Sequence, residues 1–185
     1  MIKRYISLIL GAISTAYTVW YMHYGVPYQN SGALSKIGLE HRGAFWVWGV
    51  LTYATLAIGL ALSYRRYTKT KAYIPLLAVS GAGMLLTLMF DFEYRKMPDY
   101  YLHCAGSLAF SAVTGGAVLI LFILTYKKAK MFCAFTWITG IILASDLICL
   151  LIFKETGLIE ALPVFAGYLM LGLTNLRRDK VEIKR

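Results

Sequence analysis

The chain is poor in charge, and poorest in negative charge. Only 15% of its 185 residues are charged, nine of them acidic against nineteen basic. A soluble domain of this size carries about 25% charged residues. So little charge excludes a surface that faces water everywhere, since 59% of the chain is hydrophobic. Proline- or serine-rich and low-complexity stretches are absent, which predicts a single domain over 1–185 without a linker. No internal repeat stands out. The three cysteines, Cys104, Cys133 and Cys149, form no CxxC or other metal-ligand spacing. Cys133 and Cys149 lie in apolar runs, as small core residues do. Cys104 has no evident partner, so no disulfide is expected. No nucleotide, cofactor or nucleophile motif occurs. The formal net charge of +10 raises the question of nucleic acid, but the basic residues fall in short clusters between apolar runs. Charges flank membrane spans in that way, and no nucleic-acid partner is expected.

The apolar runs themselves are plentiful. A helix needs about 20 mostly apolar residues to cross a bilayer core about 30 Å thick. Six segments meet this: 5–24, 43–64, 72–90, 102–126, 131–153 and 158–176. In lipid, backbone polar groups must pair internally, and no alternation of the β-barrel kind is visible. The expectation is therefore an all-α, polytopic bundle of six transmembrane helices. The first run is long and lacks a small-x-small cleavage site, so it reads as a retained helix rather than a signal peptide. Fourteen of the nineteen basic residues fall at one end: Lys3, Arg4, Arg65, Arg66, Lys69, Lys71, Lys127, Lys128, Lys130, Arg177, Arg178, Lys180, Lys184 and Arg185. Lys36, Arg42, Arg95, Lys96 and Lys154 fall at the other. The positive-inside rule then puts both termini in the cytoplasm, with the plasma membrane the expected location. Tyr and Trp residues flank the spans at both interfaces, as an aromatic belt does.

Polar chemistry gathers at the predicted outer end. Glu40, Asp91, Glu93, Asp99, Glu155 and Glu160 map there, as do all three histidines, His23, His41 and His103. Each histidine alone reads as an interfacial residue; three facing several carboxylates suggest a site. His103, Ser107, Ser111 and Gly115 recur every four residues and are expected on one helix face. Ser80, Thr87 and Asp91 form a second stripe, and Glu160, Gly167 and Thr174 a third. Small and polar stripes normally face neighbouring helices, which accounts for all but the charged residues and His103. Asp146 lies inside the fifth run, where an unpaired carboxylate costs about 2.5–3.5 kcal/mol. It is expected to be part-buried in the bundle. A short connection makes Asp91 and His103 neighbours, and a hydrogen bond between them, direct or through one water, is expected.

Two stretches carry a family resemblance. Ser31-Gly-Ala-Leu-Ser-Lys-Ile-Gly38, followed by a Phe/Trp-rich span, resembles the loop and helix of the DRAM/Frag/Sfk-type membrane proteins and their six-helix prokaryotic relatives. Asp91, a short polar loop and Leu102-His103-Cys104-Ala105-Gly106 resemble the same group's carboxylate-loop-His-x-x-Gly/Ala arrangement. The likeness covers spans one to four, and Phe45-Trp46 stands where relatives often have Phe-Asn. It implies a six-helix fold and a lipid setting, since eukaryotic members are linked to lipid and GPI-anchor handling, plasma-membrane lipid organisation and autophagy.

Three functions follow as alternatives. One is a non-enzymatic protein that binds or organises membrane lipid, with Arg42, Arg95 and Lys96 meeting a headgroup phosphate and His103 and Asp91 the remainder. The bland reading of those cations is snorkelling. The second is an intramembrane lipid hydrolase built from His23, His103, Asp91 and Ser107. It is either a metal-free Ser–His pair or a zinc site, although the seven spans and HxxxH pair of alkaline ceramidases are missing. The third is a small proton-coupled carrier using Asp146. The candidate pocket is thus His103, Asp91, Ser107, His23, Asp146, Glu160, Arg42 and Arg95. No bound cofactor is expected, with zinc left open and a haem between His23 and His103 conceivable.

Overall fold

The computed structural model describes residues 2–177. Arg178, Asp179, Lys180, Glu182, Lys184 and Arg185, counted above toward topology and charge, lie outside them. Seven α-helices and two short 3-10 turns make up the described residues, without a strand. The helices are α1 (Ile2–Met22), α2 (Leu34–Glu40), α3 (Arg42–Tyr67), α4 (Tyr73–Met89), α5 (Met97–Thr125), α6 (Lys130–Phe153) and α7 (Gly157–Leu176). Five of them, α1, α3, α5, α6 and α7, are long and apolar enough to cross a membrane. The remaining apolar run, α4, has 17 residues, about 25 Å at 1.5 Å per residue.

Helix boundaries follow local chemistry. Pro98 occupies the first turn of α5, where its missing N–H is not needed. Thr156 caps α7 by accepting the Ile159 amide at 3.3 Å. Lys154 ends α6 with φ 59° and an extended ψ of −166°, a conformation that costs a residue with a Cβ about 1–3 kcal/mol.

The long helices and α4 run alternately up and down. α4 follows α3 along its length: Arg65 Nε donates to the Tyr73 hydroxyl at 2.9 Å, the Tyr53 hydroxyl donates to Leu77 O at 3.0 Å, and Arg42 reaches Leu88 O at 2.6 Å. Helix α3 is central, touching α1, α2, α4, α5 and α7. The first and last helices pack together, with Gly11 against Tyr168. Most crossings carry a hydroxyl or amide tie. Ser14 meets Thr55 at 2.7 Å, Tyr168 meets Thr52 at 2.9 Å, and Ser80 meets Thr114 at 2.5 Å. Asn175 Nδ2 donates toward Ser7 Oγ and Gly59 O, at 3.0 and 3.1 Å, joining α7 to α1 and α3. Such ties are worth about 0.6 kcal/mol each on average in a bilayer.

The closest crossing joins α4 and α5. A Cβ on Gly83 would lie 2.7 Å from Phe110 N, and one on Gly106 2.7 Å from Gly83 O. Only glycine permits that approach. Helix α6 is the opposite case. It packs on α5 and α7 by one stripe, Phe132, Thr139 and Asp146 among them, and leaves Ile141, Leu147, Leu151 and Ile152 exposed.

The polar stripes are only partly as the spacing suggests. Ser80, Thr87, Gly167 and Thr174 are buried. On α5 the buried line is His103, Gly106, Phe110, Thr114, Ala117 and Leu121, not His103, Ser107, Ser111 and Gly115. Ser111 is exposed, and Ser107 and Gly115 are intermediate. Steps of four advance the face by about 40° each at 3.6 residues per turn, so three steps leave it.

Candidate functional site

The sequence reads the stretch around Ser31–Gly38 as loop. It contains α2, seven residues whose Leu34, Ser35, Ile37 and Gly38 point inward. The inward set at i, i+1, i+3 and i+4 is one face of a helix. α2 lies across one end of the bundle, beside the starts of α3, α5 and α7 and the end of α4. Its backbone is held by two other helices. Tyr21 Oη donates to Leu34 O at 2.8 Å, and Glu160 Oε2 accepts the Leu34 amide at 2.5 Å. Glu160 on α7 thus supplies the anionic cap that α2 lacks in its own sequence.

Ser35 continues this contact into the core. Its hydroxyl lies 3.4 Å from Glu160 Oε1 and 2.9 Å from His103 Nε2. His103 is 1% exposed, and its Nδ1 sits 3.0 Å from Phe90 O. A carbonyl only accepts, so Nδ1 carries a proton and the Nε2 lone pair of a neutral ring faces Ser35. The Ser35 hydroxyl then donates to His103. If Nε2 is also protonated, it donates to Ser35 and the hydroxyl turns to Glu160. Phe90 O, His103, Ser35 and Glu160 form one polar chain crossing α4, α5, α2 and α7. Aromatic rings wrap it: Phe92 at 5.1 Å and Phe45 at 6.2 Å from the imidazole, with Tyr21 and Trp48 behind Phe45.

Asp91 is not His103's partner. Both ring nitrogens are engaged elsewhere, and the carboxylate faces Arg42 Nη1 at 2.8 Å and Lys96 Nζ at 3.0 Å. Arg42 also donates to Leu88 O and Met89 O at 2.6 and 2.9 Å, closing the C-terminus of α4. The strongest donors at this end bind Asp91 first, because a charged pair outcompetes an imidazole. The Lys96 hydrogen bond, and behind it the charge of Arg42, holds the Asp91 carboxyl below its ordinary range despite some desolvation. Hydrogen bonds that Lys96 donates to the Asp91 and Glu93 carboxylates push its ammonium up. Arg42 and Lys96 are therefore both paired with Asp91.

The other candidates are dispersed. His23 is exposed, and Ser107 is half-buried without a hydrogen bond to His103. Asp146 is half-buried on the bundle-facing stripe of α6, as expected, and has no hydrogen bond or ion pair among the described residues. Arg95 is exposed and likewise uncommitted. It borders a cleft of about 670 Å³ between α2 and the α4–α5 connection, lined also by Asn30, Lys36, Glu40, Phe92, Glu93 and Tyr94. Phe92 belongs to both the cleft and the ring packing on His103, so the two are one side chain apart. No group of three His, Cys, Asp or Glu side chains placed to hold a metal occurs among the described residues. Sequence reasoning missed Ser35 and Lys36; the signal was the inward spacing of Leu34, Ile37 and Gly38 in a segment too short to stand out.

No protein-family model, curated protein or solved structure matches the chain.

Proposed function

We propose that this is an integral membrane protein with six spans and both termini in the cytoplasm, and that its outer-end cleft holds a zwitterionic lipid headgroup. The apolar helices support the membrane setting, and α4, which tracks the length of α3, supplies the sixth span. The reading keeps the DRAM/Frag/Sfk-type resemblance as its lipid setting, with the plasma membrane as the location. The observation that carries it is the cleft's lining. Arg95, and Lys36 beside its Asn30 partner, offer cations for a phosphate, while Glu40, Glu93 beside its Lys96 partner, and the rings of Phe92 and Tyr94 offer anionic and π faces for an ammonium. Native mass spectrometry with phosphatidylcholine tests this. Arg95→Gln and Glu93→Gln are each expected to weaken retention several-fold; retention unchanged in both variants refutes the reading.

A second reading is favoured by the 2.9 Å contact of Ser35 Oγ with His103 Nε2. A serine beside an imidazole whose other nitrogen is fixed is the arrangement of a metal-free hydrolase nucleophile and base. Phe92 then separates substrate from nucleophile. Labelling by a fluorophosphonate, lost in Ser35→Ala and enhanced in Phe92→Ala, supports it. Stoichiometric zinc in the purified protein moves the chemistry to a metal-dependent route, and neither result leaves the headgroup reading alone.

A further inference from the structure

At the end opposite α2 the described residues of the two connections build a surface of one charge. The α3–α4 connection carries Lys69 and Lys71, the α5–α6 connection carries Lys127 and Lys128, and Lys130 opens α6, all exposed. No carboxylate occurs in 62–73 or 122–131. The arginines nearby are taken: Arg66 holds Asn175 O and Arg177 O at the end of α7, and Arg65 holds Tyr73. The lysines stay available, except that Lys128 also donates to Tyr67 O.

Two of them border a cleft of about 430 Å³, together with Tyr67, Thr68, Thr70 and Leu124. Its polar rim is cationic, and its lower wall is apolar. Leu124 is half exposed, and Ile120, one turn further into the bundle, is exposed too. A phosphate between Lys69 and Lys128, with an acyl chain descending over Leu124 and Ile120, matches both parts. A zwitterionic headgroup would bring an ammonium into a site whose charged residues, among those described, are both lysines.

We infer that this cleft, formed by the α3–α4 and α5–α6 connections, is a binding site for an anionic phospholipid of the adjacent leaflet. It is separate from the outer cleft and shares with the function above only the spanning of the membrane. Positive charge beside a span is common, so the distinguishing property is location: lysines in the cleft matter and equally exposed lysines outside it do not. Each cleft lysine near a membrane surface is worth about fivefold in affinity.

The full chain in nanodiscs of equal phosphatidylglycerol and phosphatidylcholine is released into a native mass spectrometer, and retained lipid is counted. Wild type is expected to keep phosphatidylglycerol preferentially. Lys69→Gln with Lys128→Gln is expected to lower that retention on the order of twentyfold, and Lys69→Gln alone, which leaves the Lys128–Tyr67 bond intact, about fivefold. Lys71→Gln with Lys130→Gln is expected to leave it unchanged. An equal loss in both double variants shows diffuse surface charge and overturns the site. Full displacement by millimolar glycerol 3-phosphate shows a free-phosphate site and overturns the lipid assignment. Release of the protein from membranes by alkaline carbonate overturns the spanning itself, independently of the cleft.

Discussion

Gly106→Ala adds one methyl at the α4–α5 crossing. That methyl would lie 2.7 Å from each of Gly83 O, Leu86 Cβ and Thr87 N. Comfortable contact between heavy atoms begins near 3.5 Å, so the two helices must part by about 0.8 Å. Two of the three obstacles are backbone and the third is a Cβ, so no side-chain rotation relieves them. Overpacking costs about 1–3 kcal/mol, and this site belongs at the upper end because the α4–α5 pair is the most extensive in the molecule. Alanine's better helix propensity returns about 1 kcal/mol. The net loss of about 2 kcal/mol corresponds to a fall in melting temperature of roughly 4–8 °C for a chain of this size. Gly116→Ala, on the same helix, meets nothing within 4 Å. It keeps only the propensity gain and is expected to raise the melting temperature by about 2–4 °C. Thermal unfolding of the detergent-purified variants, followed by fluorescence-detected size exclusion, gives both numbers. If Gly106→Ala melts at or above Gly116→Ala, the glycine crossing does not hold the pair together and the reasoning fails.

Asp91 has its carboxyl held low, so its ion pairs stabilise the fold fully above the ordinary aspartate range and are lost as pH falls through the depressed value. The wild-type melting temperature is expected to fall below about pH 4, with that acid limb shallower in Asp91→Asn; identical limbs speak against the pairing. Glu160→Ala leaves the Leu34 amide without its acceptor. Hydrogen exchange at Leu34 and Ser35 is expected to quicken about five- to thirtyfold, the equivalent of 1–2 kcal/mol for a lost cap, whereas unchanged exchange means α2 is held by burial alone. Reporter fusions at Lys69 and Lys128 are expected to read cytoplasm and those at Lys36, Asp99 and Glu155 the outside. A fusion at Arg185, outside the described residues, is also expected to read cytoplasm, and a cytoplasmic signal from Asp99 breaks the alternation of the spans.

The apolar runs were legible because length and hydropathy are properties of one segment at a time. Helix ends were displaced where a cap intervened: α5 begins at Met97 rather than 102, since Pro98 starts a helix as readily as it stops one. The face of α5 was misjudged because a repeat of four drifts around the helix. The candidate site was legible by residue type, in His103, Asp91 and Glu160, but not by partner. Which of Arg42, Lys96 and His103 takes Asp91 depends on three connections whose paths no local pattern encodes. Ser35 stayed hidden for the same reason, since its importance comes from residues 68 and 125 positions away.

The clasp of Glu160 on α2 joins residues 126 positions apart, and this bears on biogenesis. The chain emerges N-terminus first, so α2 leaves the ribosome long before the carboxylate that fastens it. Until α7 inserts, Leu34 has no acceptor from α7, and Gly11 and Ser7 on the first helix lack Tyr168 and Asn175. The final hydrophobic segment is therefore a keystone rather than an addition. A nascent chain arrested before Gly157 carries His103, Ser35 and every lining residue of the cleft beside α2, with the Tyr21–Leu34 and Ser35–His103 bonds but without the Glu160 clasp, and quality-control proteases should cut the α1–α3 connection faster in it than in the finished protein.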